Sequence, residues 1–335
     1  MRAGRQMKKL YGLNYIRAIS AIMVVLYHYT TRYCDIMYNA GYENSHRGLW
    51  WGCWAVSAFF MLSGFLTVYN IETCDGAREF VLKRVSRLYP AYWAAIIITT
   101  AVTYAFGMMT VSIGAAVFNF SMLQGFFNVA AVDGAYWTLR YELQFYIMIA
   151  VILLFKKVCY IEKFTALWAL VSLGINAALL SFGDDSVIIK LLRYVVMSDQ
   201  SVYFIIGISL CMLLKNSRNV YAYISIVIAQ LSLTVFQHNA RTLFVLLVAA
   251  LIFISAYSGY RFKYDRVLNY IAAISYPLYL IHQKVGYIII KQINDRTGSH
   301  LISVFAALTA VLILAAAIQR FIEIPAGRKI HKILK

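Results

Sequence analysis

Eight ionisable side chains lie within the long apolar stretches of this sequence, at depths where a membrane makes such groups costly and therefore suggestive of function. They are Arg17, His28, Arg140, Glu142, His282, Lys284, Arg320 and Glu323. The last two fit an i,i+3 ion pair at the inner membrane face, and Arg140 and Lys284 can extend to a membrane surface in a similar way. The other four are the candidates for chemistry.

Arg17 and His28 stand eleven residues apart in the first apolar stretch. Eleven residues make about three helical turns, so both side chains share one face and are separated by about 16 Å along the axis. We therefore expect Arg17 in the inner half of the membrane and His28 toward the outer side. An interfacial arginine and a buried, hydrogen-bonded histidine are the structural alternatives.

Glu142 lies five residues into a later apolar stretch that begins outside near Trp137. His28 lies about five residues before the outer end of its own stretch, so both side chains are predicted to be roughly 7–8 Å below the outer surface. A histidine general base that is oriented or supported by this carboxylate is the functional hypothesis. A structural ion pair is the alternative.

A basic cluster opens the third apolar stretch, with Lys83, Arg84 and Arg87 shortly before Pro90. Cations at the start of a helix oppose its dipole, although they are ordinary on the cytoplasmic side of a membrane protein. The functional hypothesis is an anionic ligand that arrives from the cytoplasm, such as a nucleotide phosphate.

The composition identifies the elements that must position these residues. Of the 335 residues, 62% are hydrophobic and 13% are charged, about half the usual charged share of a soluble domain. A disordered chain, a soluble nucleic-acid binder and a small disulfide scaffold are thereby excluded. Ten stretches have the length of a membrane-spanning helix. They fall at 10–33, 49–70, 88–107, 137–156, 164–182, 198–214, 219–236, 242–258, 267–290 and 301–323.

A further apolar segment, 108–136, contains glycines but no Lys or Arg, and we predict that it is partly embedded on the outer side without spanning. With both termini cytoplasmic, 20 of the 31 Lys and Arg then fall on inner segments and 7 on outer segments, as the positive-inside rule requires. A full span here would place the basic loops 215–218 and 259–266 outside. The net charge of +17 is thus mainly an orientation signal. The predicted fold class is an all-α polytopic membrane protein of about ten transmembrane helices, forming one domain over 1–335.

The amino-terminal stretch and the cysteines indicate no additional function. The first stretch lacks a small-x-small cleavage pattern before Arg32, so a cleaved signal peptide is not expected. Cys34 and Cys53 fall on the predicted outer side, where a disulfide and two packed thiols are both compatible with the sequence. No cysteine or histidine spacing proposes a metal site.

Five motifs, in order, resemble those of the acyltransferase-3 membrane family. Each is weak alone, but together they cover residues 13 to about 285, and Thr138 stands where the family usually has serine. The motifs lie at 17–28 (a basic residue, ten residues, histidine), 59–65 (F-F-x-x-S-G-F), 84–90 (R-x-x-R-x-x-P), 137–142 (W-S-L-x-x-E) and 275–282 (S-Y-x-x-Y-L-x-H).

The resemblance implies an acyl-CoA-dependent O-acyltransferase of the stand-alone type, without a fused hydrolase-like domain. It would move an acyl group, usually acetyl from acetyl-CoA, to a hydroxyl of a cell-envelope glycan such as O-antigen, exopolysaccharide, capsule or a lipid-linked sugar. The protein would be multi-pass in a bacterial-type cytoplasmic membrane. Its partners would be acyl-CoA, the glycan acceptor and membrane lipid, with no nucleic acid and with an open oligomeric state.

The resemblance also assigns roles to the motif residues. The catalytic residue would be His28. From its predicted depth, and not from the resemblance, Glu142 is the second catalytic candidate, which would orient His28 or bind acceptor hydroxyls. The donor-binding residues would be Arg17, Arg84 and Arg87, and we add Ser63 to this group as our own prediction. We further predict that the substrate is bound by residues in or beside the motifs, namely Trp137, Arg140, Tyr276, Tyr279 and His282. Ordinary helix packing is the alternative for the last three, and Arg140 is a charge that is uncommon in the family at this place.

Direct transfer is the mechanism that we expect, with His28 removing the proton of the acceptor hydroxyl as it attacks the thioester. No serine stands in a nucleophile-elbow pattern, and Ser63-Gly64 also fits close helix packing. A secondary transporter or flippase that uses a His/Glu proton relay is the alternative function. A transporter should show an internal repeat, and we find none in the sequence.

Overall fold

Helices account for nearly all of the regular structure. The computed structural model describes residues 10–38, 48–183, 186–237, 239–257 and 262–333, and over these residues it has no strand. Of the described residues, 84% are helical, which confirms the predicted all-α class. The basic residues of 1–9 and Arg47, which enter the predicted orientation, lie outside the described residues.

The chain divides into two compact units. The first takes the described residues of 1–20, 56–73 and 157–272, and the second takes those of 21–55, 74–156 and 273–335. Three helices contribute residues to both units, namely α1 (Tyr11–Tyr27), α12 (Arg266–Thr297) and, by its first residue alone, α3 (Ala55–Asn70).

The first unit is a bundle around one buried helix. Its helices are α3 (Ala55–Asn70), α7 (Ile161–Phe182), α8 (Val187–Val196), α9 (Ser201–Lys215), α10 (Val220–Phe236) and α11 (Asn239–Tyr257). Every residue of α9 from Ser201 to Met212 is buried, as expected for a helix that is apolar on all sides. α9 packs against α7, α10 and α11. A side-chain carbon at Gly64 of α3 would lie 2.5 Å from the carbonyl oxygen of Phe204, which confirms that this glycine permits close helix packing.

The second unit contains the remaining helices and two π-helical segments. Its helices are α2 (Tyr33–Tyr38), α4 (Ala77–Ala105), α5 (Ile113–Asn119), α6 (Trp137–Leu154), α13 (His300–Ile318) and α14 (Ile324–Ile333). The π-helical segments are His28–Arg32, between α1 and α2, and Gln319–Glu323, between α13 and α14. Such wide turns often occur at functional sites. α4 packs against α6 and α14.

Among the residues that the structure describes, seven helical segments are long and apolar enough to cross a membrane, so the chain has the character of a multi-pass membrane protein. Each of the ten predicted stretches coincides with a helix, but α1, α10 and α12 are not among those seven. Ten spans and cytoplasmic termini stay predictions.

The segment 108–136 contains no helix of spanning length, in keeping with the prediction. Its longest helix is α5, with seven residues. The buried Asn119 holds the segment together, because its side chain donates to the carbonyl of Ala130 and accepts from the N–H of Val132. Trp93 of α4 donates to the carbonyl of Phe120, which fixes the segment against that helix.

Candidate active site

His28 is the first residue of the π-helical segment that follows α1. Its Nδ1 lies 2.9 Å from the carbonyl oxygen of Val24 and 3.2 Å from Nε2 of His282. The two imidazole rings meet edge to face, with centroids 4.7 Å apart. The structure therefore brings together two histidines that are 254 residues apart in the sequence.

His282 is held in place by contacts on both its ring and its backbone. The side chain is fully buried, and its Nδ1 lies 2.7 Å from the carbonyl oxygen of Tyr279. Its own carbonyl accepts a hydrogen bond of 2.8 Å from the hydroxyl of Tyr29, in the π-helical segment. A side chain at Gly286 would overlap the ring of Tyr29, so this glycine lets α12 approach the segment that carries His28.

Glu142 has a different partner from the one that its depth suggested. Its Oε1 accepts a hydrogen bond of 2.6 Å from Tyr146, one turn further along α6. Within the described residues, the hydrogen bonds of the His28 ring go to Val24 and His282. The predicted support of His28 by Glu142 is thus not what the structure shows, because equal depth does not place two side chains on facing sides of their helices.

Glu142 instead lies beside the predicted donor-binding arginines. The guanidinium of Arg84 on α4 is 4.7 Å from the centre of the Tyr146 ring and 5.1 Å from that of Phe80. Tyr146 therefore contacts both the carboxylate of Glu142 and the guanidinium of Arg84. Arg84 is partly buried and Arg87 is exposed. The guanidinium of Arg84 is therefore fixed by packing, whereas that of Arg87 can reach an anionic ligand from solvent.

Three of the residues predicted to bind the substrate lie close to this arginine cluster or to the start of α6. Tyr276 of α12 donates to the carbonyl of Leu88 on α4, one residue after Arg87. Trp137 and Arg140 both contact the ring of Tyr141, Trp137 edge to face and Arg140 with its guanidinium 4.3 Å from the ring centre.

Tyr279 links the start of α6 to α12. Its hydroxyl donates to the carbonyl of Ala135 and lies 2.8 Å from Oγ1 of Thr138. Thr138 thus keeps the hydroxyl that the serine of the family motif would supply. The motifs around Thr138 and His282 therefore meet in the second unit.

Two predicted donor-binding residues belong to the first unit. Arg17 lies on α1 and is partly buried, and Ser63 lies on α3 beside Gly64. Their assignment to the donor stays a prediction.

Asp133, the one acidic residue of segment 108–136, is a site residue that was not predicted from the sequence. This carboxylate is fully buried and accepts hydrogen bonds from the backbone N–H groups of Ala135 at 2.8 Å and Lys284 at 2.9 Å. Burial raises the pKa of Asp133 to about 6, and the two hydrogen bonds and the charge of Lys284 oppose that rise. A lone carboxylate in an otherwise uncharged apolar segment was the signal available in the sequence.

The cysteines contribute no cross-link. Neither Cys34 nor Cys53 is joined in a disulfide. Cys34 contacts His300 at 3.9 Å, and Cys53 donates to the carbonyl of Trp50. No group of three potential metal ligands occurs among the residues that the structure describes.

A many-helix membrane protein whose second unit contains a pair of histidines and a cluster of arginines is the class that this fold and site define. A family model described as an acyltransferase domain, that of the acyltransferase-3 family, matches residues 10–320. The chain therefore belongs to this family of acyltransferases. Comparisons with curated proteins and with solved structures give no match.

Proposed function

We propose that this protein is an O-acyltransferase of the cytoplasmic membrane that moves an acetyl group from cytoplasmic acetyl-CoA to a hydroxyl of a cell-envelope glycan. The observation that supports it most is the state of His28. Within the described residues both hydrogen bonds of the ring fall on Nδ1, and the side chain is partly exposed. Nε2 is then available to act on a substrate hydroxyl.

The reaction is a direct transfer. Nε2 of His28 takes the proton of the acceptor hydroxyl while the hydroxyl oxygen forms a bond to the thioester carbonyl carbon. The carbon–sulfur bond then breaks, and the leaving thiolate takes the proton from His28 to give free CoA. The products are one O-acyl ester and one thiol, and general base catalysis of this kind contributes about 10²–10⁴-fold.

The donor's phosphates would be held by Arg84 and Arg87. Guanidinium groups bind phosphate through paired, charge-assisted hydrogen bonds. Arg84 is positioned by the aromatic rings of Phe80 and Tyr146, so part of the cost of ordering this long side chain is met before a ligand binds.

Acyl transfer by purified protein in nanodiscs tests the proposal. Radiolabelled acetyl-CoA is supplied with a glycan or lipid-linked sugar fraction, and base-labile label on the glycan and free CoA are measured together. We expect label transfer with the wild type and none with His28→Ala. Equal transfer by both proteins would refute the role of His28, and no transfer by either with any acceptor fraction would refute the proposed function.

The acyl group and the acceptor are defined by the same assay. Succinyl-CoA and longer acyl-CoAs compete against acetyl-CoA, and we expect acetyl to be preferred. Acceptor fractions are separated into lipid-linked sugars and finished polysaccharide. The fraction that carries base-labile label identifies the stage of glycan assembly at which the protein acts.

A further inference from the structure

We infer that His282 is a positioning residue for His28, a role that rests on the proposed function. The hydrogen bond between the two rings would hold His28 in the tautomer and orientation that leave Nε2 free to accept a proton. Three ring nitrogens have partners that determine this state: Nδ1 and Nε2 of His282, and Nδ1 of His28.

A backbone carbonyl determines which ring nitrogen of His282 carries the hydrogen. A carbonyl oxygen only accepts hydrogen bonds, so the Nδ1 that lies 2.7 Å from the Tyr279 oxygen must carry a hydrogen. In a neutral imidazole the other nitrogen is then an acceptor. The Nε2 of His282 therefore presents a lone pair to His28.

Two independent acceptors determine which ring nitrogen of His28 carries the hydrogen. The carbonyl of Val24 and the Nε2 of His282 lie 2.9 Å and 3.2 Å from the same Nδ1. Both require Nδ1 to be the donor, so the remaining lone pair of a neutral His28 is on Nε2. This is the state that a general base needs before it attacks.

The two acceptors constrain the ring in different ways. Val24 belongs to the same helix, one turn before His28, whereas His282 is supplied by α12 and meets the ring edge to face. When Nε2 takes a proton, both ring nitrogens become donors, and the His282 lone pair continues to bind the Nδ1 hydrogen. The arrangement resembles the support that a second residue gives a catalytic histidine elsewhere.

Paired substitutions at His282 separate hydrogen bonding from packing. His282→Leu fills the space without an acceptor, and we expect kcat to fall about 10–100-fold with little change in KM for the acyl donor, because Val24 still holds the tautomer in part. His282→Gln keeps an acceptor near the same position and is expected to stay within about fivefold of the wild type. Equal losses in the two variants, or a wild-type kcat for His282→Leu, would overturn the positioning role.

A third histidine provides the matched control. His300 of α13 stacks on Tyr33 and takes no part in the proposed chemistry. We expect His300→Leu to retain the wild-type kcat. Thermal unfolding of all variants in detergent identifies any variant that fails to fold. If His282→Gln is that variant, His282→Asn replaces it in the comparison.

The tautomers themselves are measured without turnover. Nitrogen-15 spectra of histidine-labelled wild type, assigned with His28→Gln and His282→Gln, should show hydrogen on Nδ1 of both rings. Hydrogen on Nε2 of His28 would overturn the inference even in an active protein. If the wild type transfers no acyl group, the proposed function fails, and the spectrum still tests the pairing.

Discussion

The side chain of Asp133 accepts a hydrogen bond of 2.9 Å from the backbone N–H of Lys284, two residues beyond His282 on α12. Its other oxygen accepts from Ala135 at the start of α6. One buried carboxylate thereby joins the entry of α6 to the part of α12 that carries the paired histidine. A buried group that makes such bonds is costly to remove, because each donor left without a partner costs about 1–3 kcal/mol.

The stability contributed by protonated Asp133 should be lost as the pH rises through about 6. The pKa of this carboxyl in the folded protein, about 6, is above its ordinary value of 3.8 because the group is buried. The folded chain therefore binds the proton more tightly than the unfolded chain does, and stability falls as the pH rises between these values. We expect the melting temperature of the wild type relative to Asp133→Asn to decrease from pH 4.5 to pH 7.

Asp265 is the control for this experiment. Its side chain caps α12 through the N–H of Leu268 and is exposed, and asparagine caps a helix about as well as aspartate. The melting-temperature difference between wild type and Asp265→Asn should not follow the same pH course. A flat difference for Asp133→Asn would contradict the assignment.

The hydroxyl of Thr138 should matter more than its methyl group. Oγ1 lies 2.8 Å from the hydroxyl of Tyr279, and the side chain is buried. Thr138→Val keeps the shape and removes the bond, for which we expect a loss of about 1 kcal/mol in stability. Thr138→Ser keeps the bond and should be closer to the wild type. Thermal unfolding compares the three proteins, and a greater loss in the serine variant would show that packing decides at this position.

The sequence predicted where helices form but not which of them are neighbours. All ten apolar stretches became helices, because composition and length suffice for that. The predicted common depth of His28 and Glu142 assumed that the first helix ends near residue 33, whereas the helical run continues from α1 through the π-helical segment to Tyr38. Depth gives a position along a helix but not the direction in which a side chain points. It therefore could not show that Glu142 accepts a hydrogen bond from Tyr146, or that His282 contacts His28.

The π-helical segments and the role of Asp133 were not predicted from the sequence, for other reasons. A π turn adds one residue to a helix without a characteristic sequence pattern, so the segment that begins at His28 was predicted as ordinary helix. Asp133 lies outside the predicted spans, so the criterion of an ionisable residue within a span does not select it. The motif around Arg84 was recognised, but its contacts with the Phe80 and Tyr146 rings depend on the packing of α4 against α6.

Arg84 should contribute to donor binding through both its charge and its shape. Arg84→Ala is expected to weaken acyl-CoA binding about tenfold, equivalent to about 1.4 kcal/mol. Arg84→Lys keeps the charge but loses the planar group that lies against Tyr146 and Phe80, so its affinity should be intermediate. Binding is measured by calorimetry in detergent at low and high salt.

Lys83 is the matched control for Arg84. It is the adjacent cation, and its Nζ pairs with Oε1 of Glu79 at 2.7 Å on the surface of α4. Lys83→Ala should leave acyl-CoA affinity within about twofold of the wild type, since exposed ion pairs contribute little. An equal loss in Lys83→Ala and Arg84→Ala would indicate a general effect of positive charge rather than a site at Arg84.

Glu142→Gln should raise KM for the acyl donor more than it lowers kcat. Glu142 accepts from Tyr146, whose ring contacts Arg84, so the loss of its charge should disturb the donor end before the histidine pair. Replacing a hydrogen bond to a charged group by a neutral one costs about 1 kcal/mol, or roughly a fivefold change in KM. Tyr146→Phe removes the same hydrogen bond and leaves the carboxylate, so it separates the bond from the charge. If kcat of Glu142→Gln instead fell as far as that of His28→Ala at unchanged KM, Glu142 would act in the chemical step, and the hypothesis drawn from its depth in the sequence would be restored.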